Sequence, residues 1–301
     1  MNTIHYQTIL IEGIPIYIYR DDLNHKVVSG NKLHKLSPFM NMAIEKNCSS
    51  VLSFGGPYSN HLHALAWISK QNRLNSIGIV RGELHSELTP TLWDCQQWGM
   101  QLIPCERQDY RRYQTLVSQF SKPRFAKQIE QPLFTKVPED TLVIPEGGSN
   151  LMAIESLCHA YKPVFALPQH KQITHAICTT GTGATVAGLY KASPQNIEVV
   201  GIQAVSEGGA TLERITKWID EKPKRLKIQP GHLGGFGKIP AALKQFMTKF
   251  EATYNIPLDP IYNGKAMLKI TEMIKTGRFN MGDQILYIHT GGLQGKRTKT
   301  D

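Results

Sequence analysis

The chain has 301 residues, 41% of them apolar and 19% charged, a composition that fits a globular protein of about two lobes and excludes a disordered or membrane-embedded one. The net charge is +10, yet much of the excess gathers in KWIDEKPKRLK (217–227) and KRTKT (296–300) without an aromatic-interleaved stripe or a recognised binding module, which speaks against nucleic acid and for anionic small molecules as partners. Five cysteines without a C-x-x-C pair exclude a disulfide framework and a zinc knuckle; no apolar run nears the roughly 20 residues of a membrane span, the N-terminus has no basic start before an apolar block, and the expected location is the cytoplasm.

In chain order, apolar or β-branched runs at 14–19, 51–54, 76–80, 141–145, 175–180, 198–205 and 284–290 read as strands. Amphipathic stretches at 60–71, 88–99, 109–121, 149–161, 184–192, 240–254 and 264–276 read as helices between them. The alternation predicts an α/β fold of parallel-rich twisted sheets with helices on both faces and ligands beyond the carboxyl ends of the strands.

The stretch SGNKLHKLSPFM (29–40) sets Gly30 and Asn31 directly before Lys32. It reads either as the solvated start of a helix or as the seat of a lysine that holds a carbonyl cofactor as a Schiff base.

Three strand-to-helix junctions are rich in small polar residues. In FGGPYSNHLHALAWISKQ (54–71), Gly55 and Gly56 end a strand, and Ser59 and Asn60 stand where a helix N-cap belongs. They can cap the helix, offer donors to a carboxylate at its positive end, or do both. His61 and His63 would point to different sides of that helix with no carboxylate close in sequence, so no metal is expected.

In CTTGTGATVAGL (178–189), the glycine spacing matches neither a Walker A loop, which would need Lys and Ser/Thr at Leu189 and Tyr190, nor the dinucleotide fingerprint, which would need a third glycine at Val186. What remains is either a tight turn or a nest in which Gly181, Thr182, Gly183, Ala184 and Thr185 offer donors to one phosphate. In YIHTGGLQG (287–295), a strand ends in His289, Thr290 and a glycine pair. The glycines permit close backbone approach, and Thr290 can bond a ring nitrogen.

A lysine, a phosphate nest, a hydroxyl–amide cap and a strand-end threonine are what pyridoxal phosphate requires: an amine for its aldehyde, a helix N-terminus for its phosphate, a donor for its phenolic oxygen and a partner for its ring nitrogen. The ordered segments SGNKLHKL, GGPYSNHLHALA, IPEGGSN, TTGTGATVAGL, IPLDPIYNGKAM and IHTGG resemble the 1-aminocyclopropane-1-carboxylate deaminase and D-cysteine desulfhydrase family, within the tryptophan-synthase-like, fold-type II pyridoxal-phosphate enzymes, over nearly the whole chain.

The resemblance implies a large cofactor domain of residues 1–46 and 164–301, a small inserted α/β domain of 47–163, and a homodimer. It makes Lys32 the Schiff-base lysine and Ser59 the catalytic serine. Asn60, His61 and Tyr58 fall in the substrate-carboxylate and ring-oxygen region, Gly181 to Thr185 at the phosphate, and Thr290 near the pyridine nitrogen. One departure stands out: GGFGKIPAALKQF (234–246) has Phe236 where the family carries a tyrosine, and Ala241 and Ala242 where an acidic residue often follows. Tyr58 or Tyr262 could supply the missing phenol.

The expected activity is elimination of ammonia from a small amino acid, first of all D-cysteine-type β-elimination to pyruvate, ammonia and sulfide. The alternatives are ring opening of 1-aminocyclopropane-1-carboxylate to 2-oxobutanoate, another fold-type II dehydratase, and, because of Phe236, a pyridoxal-phosphate-binding protein without turnover.

Overall fold

A two-residue turn at Glu12 and Gly13, both at positive φ (47° and 81°), joins β1 (Tyr6–Ile11) to β2 (Ile14–Tyr19) in an antiparallel hairpin. The computed structural model describes residues 4–84, 86–120, 122–167, 172–205, 209–219, 223–235 and 237–297. After the hairpin come α1 (Asn31–Glu45), β3 (Ser50–Gly55), α2 (Asn60–Gln71), β4 (Asn75–Arg81), α3 (Pro90–Gln97), β5 (Met100–Cys105), α4 (Arg107–Ser118), β6 (Arg124–Phe125), β7 (Leu142–Val143) and α5 (Leu151–Phe165). The remainder forms β8 (His175–Thr180), α6 (Ala184–Ala192), β9 (Glu198–Gln203), α7 (Ala210–Ile219), β10 (Leu226–Pro230), α8 (Ala241–Tyr254), α9 (Asn263–Lys275) and β11 (Ile285–Ile288).

The chain divides into two compact units. One consists of the residues up to Asn31 together with Ile154–Lys296, the other of Lys32–Ala153 with Arg297 onward. The division between the units falls at Asn31/Lys32 and Ala153/Ile154.

In the first unit the sheet order is β1-β2-β11-β8-β9-β10, parallel except for the β1–β2 pair. Strand periodicity sends successive side chains to opposite faces. Ile285 and Tyr287 join the core under α8 and α9, with Leu243, Met247, Phe250 and Met267, while Leu286 and Ile288 join the core under α5 and α6, with Leu157, Tyr161 and Leu189. Each fully buried Leu, Ile or Phe contributes roughly 1.5–3 kcal/mol, so both faces are held by apolar burial.

In the second unit the order is β5-β4-β3-β7-β6, parallel except for β6 against β7. Leu52, Phe54, Ile77 and Ile79 pack against Tyr110, Tyr113 and Val117 of α4. The α/β architecture of parallel-rich sheets with helices on both faces is thus present. Among the described residues no helix is long and apolar enough to cross a membrane.

Candidate active site

The residues singled out in the sequence fall into two groups, one in each unit. In the first unit, Gly30 (φ 70°) and Gly291 (φ 75°) adopt left-handed conformations at a mutual backbone approach. A Cβ on Gly30 would lie 2.1 Å from the carbonyl oxygen of Thr290, and one on Gly291 would lie 2.8 Å from the Ser29 carbonyl. Only glycine serves at either position. The Gly30 N–H donates to the Asp21 carbonyl at 2.9 Å and the Asn31 N–H to Thr290 at 3.3 Å. The Asn31 amide then donates to Thr185 Oγ1 at 2.9 Å, so the residue before Lys32 is tied to the first turn of α6.

That turn is the nest. Gly183 (φ 98°) is the left-handed N-cap of α6 and carries no side-chain cap, leaving the first amide groups of the helix without intrahelical partners at its positive end. Beside it, the Thr180 hydroxyl is buried with no hydrogen-bond partner among the described residues, although a buried polar group ordinarily has one. The ring of Tyr262 stands against Gly181, its Cε1 being 3.5 Å from where a Cβ would be.

Thr290 Oγ1 lies 3.0 Å from Thr179 Oγ1. Its backbone N–H donates to the Asn263 side-chain carbonyl at 3.1 Å. Asn263 is fully buried, and its amide donates to Asp259 (2.7 Å) and to the Gly291 carbonyl (2.8 Å). Asp259 in turn accepts the N–H groups of Ile261, Tyr262 and Asn263, which fixes the start of α9 and Tyr262 with it. His289 is buried beneath this loop: Nε2 donates to the Pro257 carbonyl at 2.8 Å and Nδ1 accepts the Gly291 N–H at 3.3 Å. It supports the loop.

In the second unit, Gly55 makes room for the cap, since a Cβ there would lie 2.5 Å from Ser59 Oγ. Ser59 is the N-cap of α2, its hydroxyl accepting the Leu62 N–H at 3.2 Å. Asn60 is the first, half-buried residue of the helix, and Tyr58 in the turn before it is exposed. His61 is buried. Its Nε2 lies 2.7 Å from Ser53 Oγ, and the Ser53 hydroxyl donates to the Ile144 carbonyl at 2.8 Å, so Ser53 turns a lone pair to His61 and Nε2 carries the hydrogen. Nδ1 is then a bare acceptor, and it has no partner among the described residues. Burial first, and then the charges of Lys32 and Lys35, hold the imidazole well below its ordinary pKa.

Lys32 is half-buried in the first turn of α1. Lys35, one turn further on, is only 2% exposed, donates to Ser149 Oγ at 2.9 Å, and is pushed well below the usual lysine range by burial and by the Lys32 charge. Ser149 comes from the IPEGGSN segment, whose Gly148 packs against both His61 Cε1 and Lys35 Cβ. Lys35 stood out in the sequence only as the second of two lysines three apart, and Ser53, Thr179 and Asn263 were not singled out there. His63, set aside as a metal ligand, lies 3.0 Å from Asp94, and among the described residues no cluster of metal-ligating side chains occurs. Phe236 lies outside the described residues.

No family model matches the chain. A Pyrococcus horikoshii protein provisionally named a 1-aminocyclopropane-1-carboxylate deaminase is 26% identical, over 94% of this chain and 86% of its own length. A protein of Arabidopsis thaliana, named a mitochondrial bifunctional D-cysteine desulfhydrase/1-aminocyclopropane-1-carboxylate deaminase, is 26% identical over 97% of this chain and 76% of its own length. A crystal structure of an ACC deaminase homologue superposes with a TM-score of 0.79 at 24% identity, covering 98% of this chain and 90% of that one. The architecture is therefore that of the fold-type II pyridoxal-phosphate enzymes. In sequence, the chain is a relative of the 1-aminocyclopropane-1-carboxylate deaminase and D-cysteine desulfhydrase family.

Proposed function

We propose that the chain is a pyridoxal-phosphate enzyme that eliminates ammonia from a small amino acid, with D-cysteine converted by β-elimination to pyruvate, ammonia and hydrogen sulfide. The observation that carries the cofactor reading is the Asn31–Thr185 hydrogen bond of 2.9 Å, which fixes the residue preceding Lys32 on a glycine-rich helix start. The residues present fit the cofactor. The Thr180 hydroxyl, unpartnered among the described residues, and the helix N-terminus that follows Gly183 match a phosphate's need for donors, and Thr290 offers a hydroxyl to a pyridine nitrogen.

When bound, pyridoxal phosphate supplies an electron sink for a substrate carbanion. Lys32 would provide the amine that holds the cofactor aldehyde, and the same amine would take the Cα proton of the substrate. Ser59 and Asn60, with the first amide groups of α2, hold the substrate carboxylate, the hydroxyl of Ser59 also handling a proton. Asn60 would also hold the cofactor's ring oxygen, Tyr58 would line the substrate, and the bare Nδ1 of His61 would accept from a substrate N–H. The Cα–H electron pair would form the Cα=Cβ bond while the sulfur leaves with the Cβ–S pair, and water would then hydrolyse the resulting imine to pyruvate and ammonia. A cytoplasmic homodimer completes this reading.

Ring opening of 1-aminocyclopropane-1-carboxylate is the second reading, favoured by the Tyr262 ring against Gly181, which puts a phenol beside the nest. Assays of cofactor-loaded protein separate the two. Pyruvate and sulfide from D-cysteine, with little 2-oxobutanoate from the cyclopropane, support the first reading; efficient ring opening supports the second, and no turnover of any amino acid removes both.

A further inference from the structure

We propose that Thr179 is a positioning residue that sets the direction of the Thr290 hydroxyl hydrogen, so that Thr290 donates to an unprotonated acceptor atom on a bound molecule. The argument is one of hydrogen-bond bookkeeping. Thr179, the penultimate residue of β8, is 4% exposed, and its hydroxyl has a single partner among the described residues, Thr290 Oγ1 at 3.0 Å. Thr290 is 6% exposed and meets two oxygens, Thr179 Oγ1 and the Asn263 side-chain carbonyl at 3.4 Å.

The Asn263 oxygen is already occupied. Its two lone pairs take the Tyr287 hydroxyl at 2.8 Å and the Thr290 N–H at 3.1 Å, both shorter than the Thr290 hydroxyl contact. The flip that would free a lone pair is closed, because the Asn263 amide nitrogen donates to Asp259 and to the Gly291 carbonyl. Two hydroxyl hydrogens thus share one interaction. If Thr290 donates to Thr179, the buried Thr179 hydrogen has no acceptor, which is the costly arrangement. If Thr179 donates to Thr290, the buried Thr179 hydrogen is satisfied, and the Thr290 hydrogen is left for an acceptor brought by a ligand.

This rests on the pyridoxal-phosphate reading, in which that acceptor is the pyridine nitrogen and Thr179 keeps it unprotonated by presenting a donor to it. The test uses protein loaded with pyridoxal phosphate carrying 15N in the ring, with the nitrogen chemical shift and the cofactor Kd as readouts. The unmodified protein is expected to show an unprotonated, hydrogen-bonded ring nitrogen. Thr179→Val, which keeps the shape and removes the hydrogen, takes away the donated bond that fixes Thr290 Oγ1 and polarises its hydroxyl as a donor; the shift should move towards that of free pyridine and cofactor binding should weaken by about 3- to 10-fold, the worth of one hydrogen bond. Thr179→Ser should restore both. If the valine variant misfolds by circular dichroism, Thr179→Ala makes the same deletion with less bulk. A protonated ring nitrogen in the unmodified protein, or an unchanged shift and Kd without the Thr179 hydroxyl, overturns the role of Thr179 alone. Failure of the unmodified protein to bind pyridoxal phosphate overturns the cofactor reading and this inference with it.

Discussion

Gly30 and Thr290 meet so closely that a single added carbon on the glycine would lie 2.1 Å from the threonine carbonyl oxygen. The contact joins the residue two before Lys32 to the strand-end loop that presents the Thr290 hydroxyl. Gly30→Ala combines a left-handed backbone, costing about 1–2 kcal/mol for a side chain, with a clash that has to displace Thr290. The expected result is a loss of at least about 3 kcal/mol in urea unfolding, together with weaker cofactor binding. Gly30→Ala protein of unchanged stability would mean the loop is not held as described.

Ser59 is the cap of α2 and the proposed proton-handling group, and the two roles leave separate signatures. Ser59→Ala should cost about 1 kcal/mol of stability through the lost Leu62 bond. It should also slow turnover on the order of 10²-fold with the cofactor still bound. A lowered melting temperature with unchanged turnover leaves Ser59 as a cap and nothing more.

The buried imidazole of His61 makes stability depend on pH. Its folded pKa is lowered, so on acidification the unfolded chain takes up this proton first, near its ordinary value of about 6.5. The contribution of His61 is therefore intact above about pH 6.5 and is lost progressively below it. His63 and His175, also lowered mainly by burial, act in the same sense. His61→Gln should flatten the fall in unfolding free energy between about pH 7 and pH 5 relative to the unmodified protein. An identical slope in both would show that His61 is not held neutral.

Position 236, Phe236 in this chain, is the proposed discriminator between the two candidate activities. A ring opening without a good leaving group depends on placed proton donors more than thiol elimination does, and a lost hydroxyl partner is worth about 1–3 kcal/mol, or about 5- to 150-fold in rate. Phe236→Tyr should raise 2-oxobutanoate formation from 1-aminocyclopropane-1-carboxylate more than pyruvate formation from D-cysteine. Equal gains would remove residue 236 as the discriminator.

The sequence signal was clearest where strands are central. The helices at 60–71 and 184–192 have the bounds expected of them, because each follows a fully buried strand and glycines at the junction. The strands that sequence patterning passed over, β1, β5, β6 and β10, are the four sheet edges. Edge strands are half-solvated and carry polar residues or proline: Pro104 lies in β5 and Pro230 ends β10, at positions where a central strand would lose a ladder bond. Helix α1 escaped the pattern because Pro38 interrupts it, removing the N–H that would bond to the His34 carbonyl. In the candidate site, Lys32, Ser59, the nest and Thr290 were legible as motifs. Lys35 and Asn263 were not, since a lysine and an asparagine read as surface residues until burial is known.

The account stands or falls on Lys32 as the residue that carries the cofactor. Protein loaded with pyridoxal phosphate, reduced with borohydride and digested, should yield one peptide bearing a pyridoxyl group, and fragmentation should place that group on Lys32. A label on Lys35, its buried neighbour one helical turn away, or on no lysine at all, would contradict it.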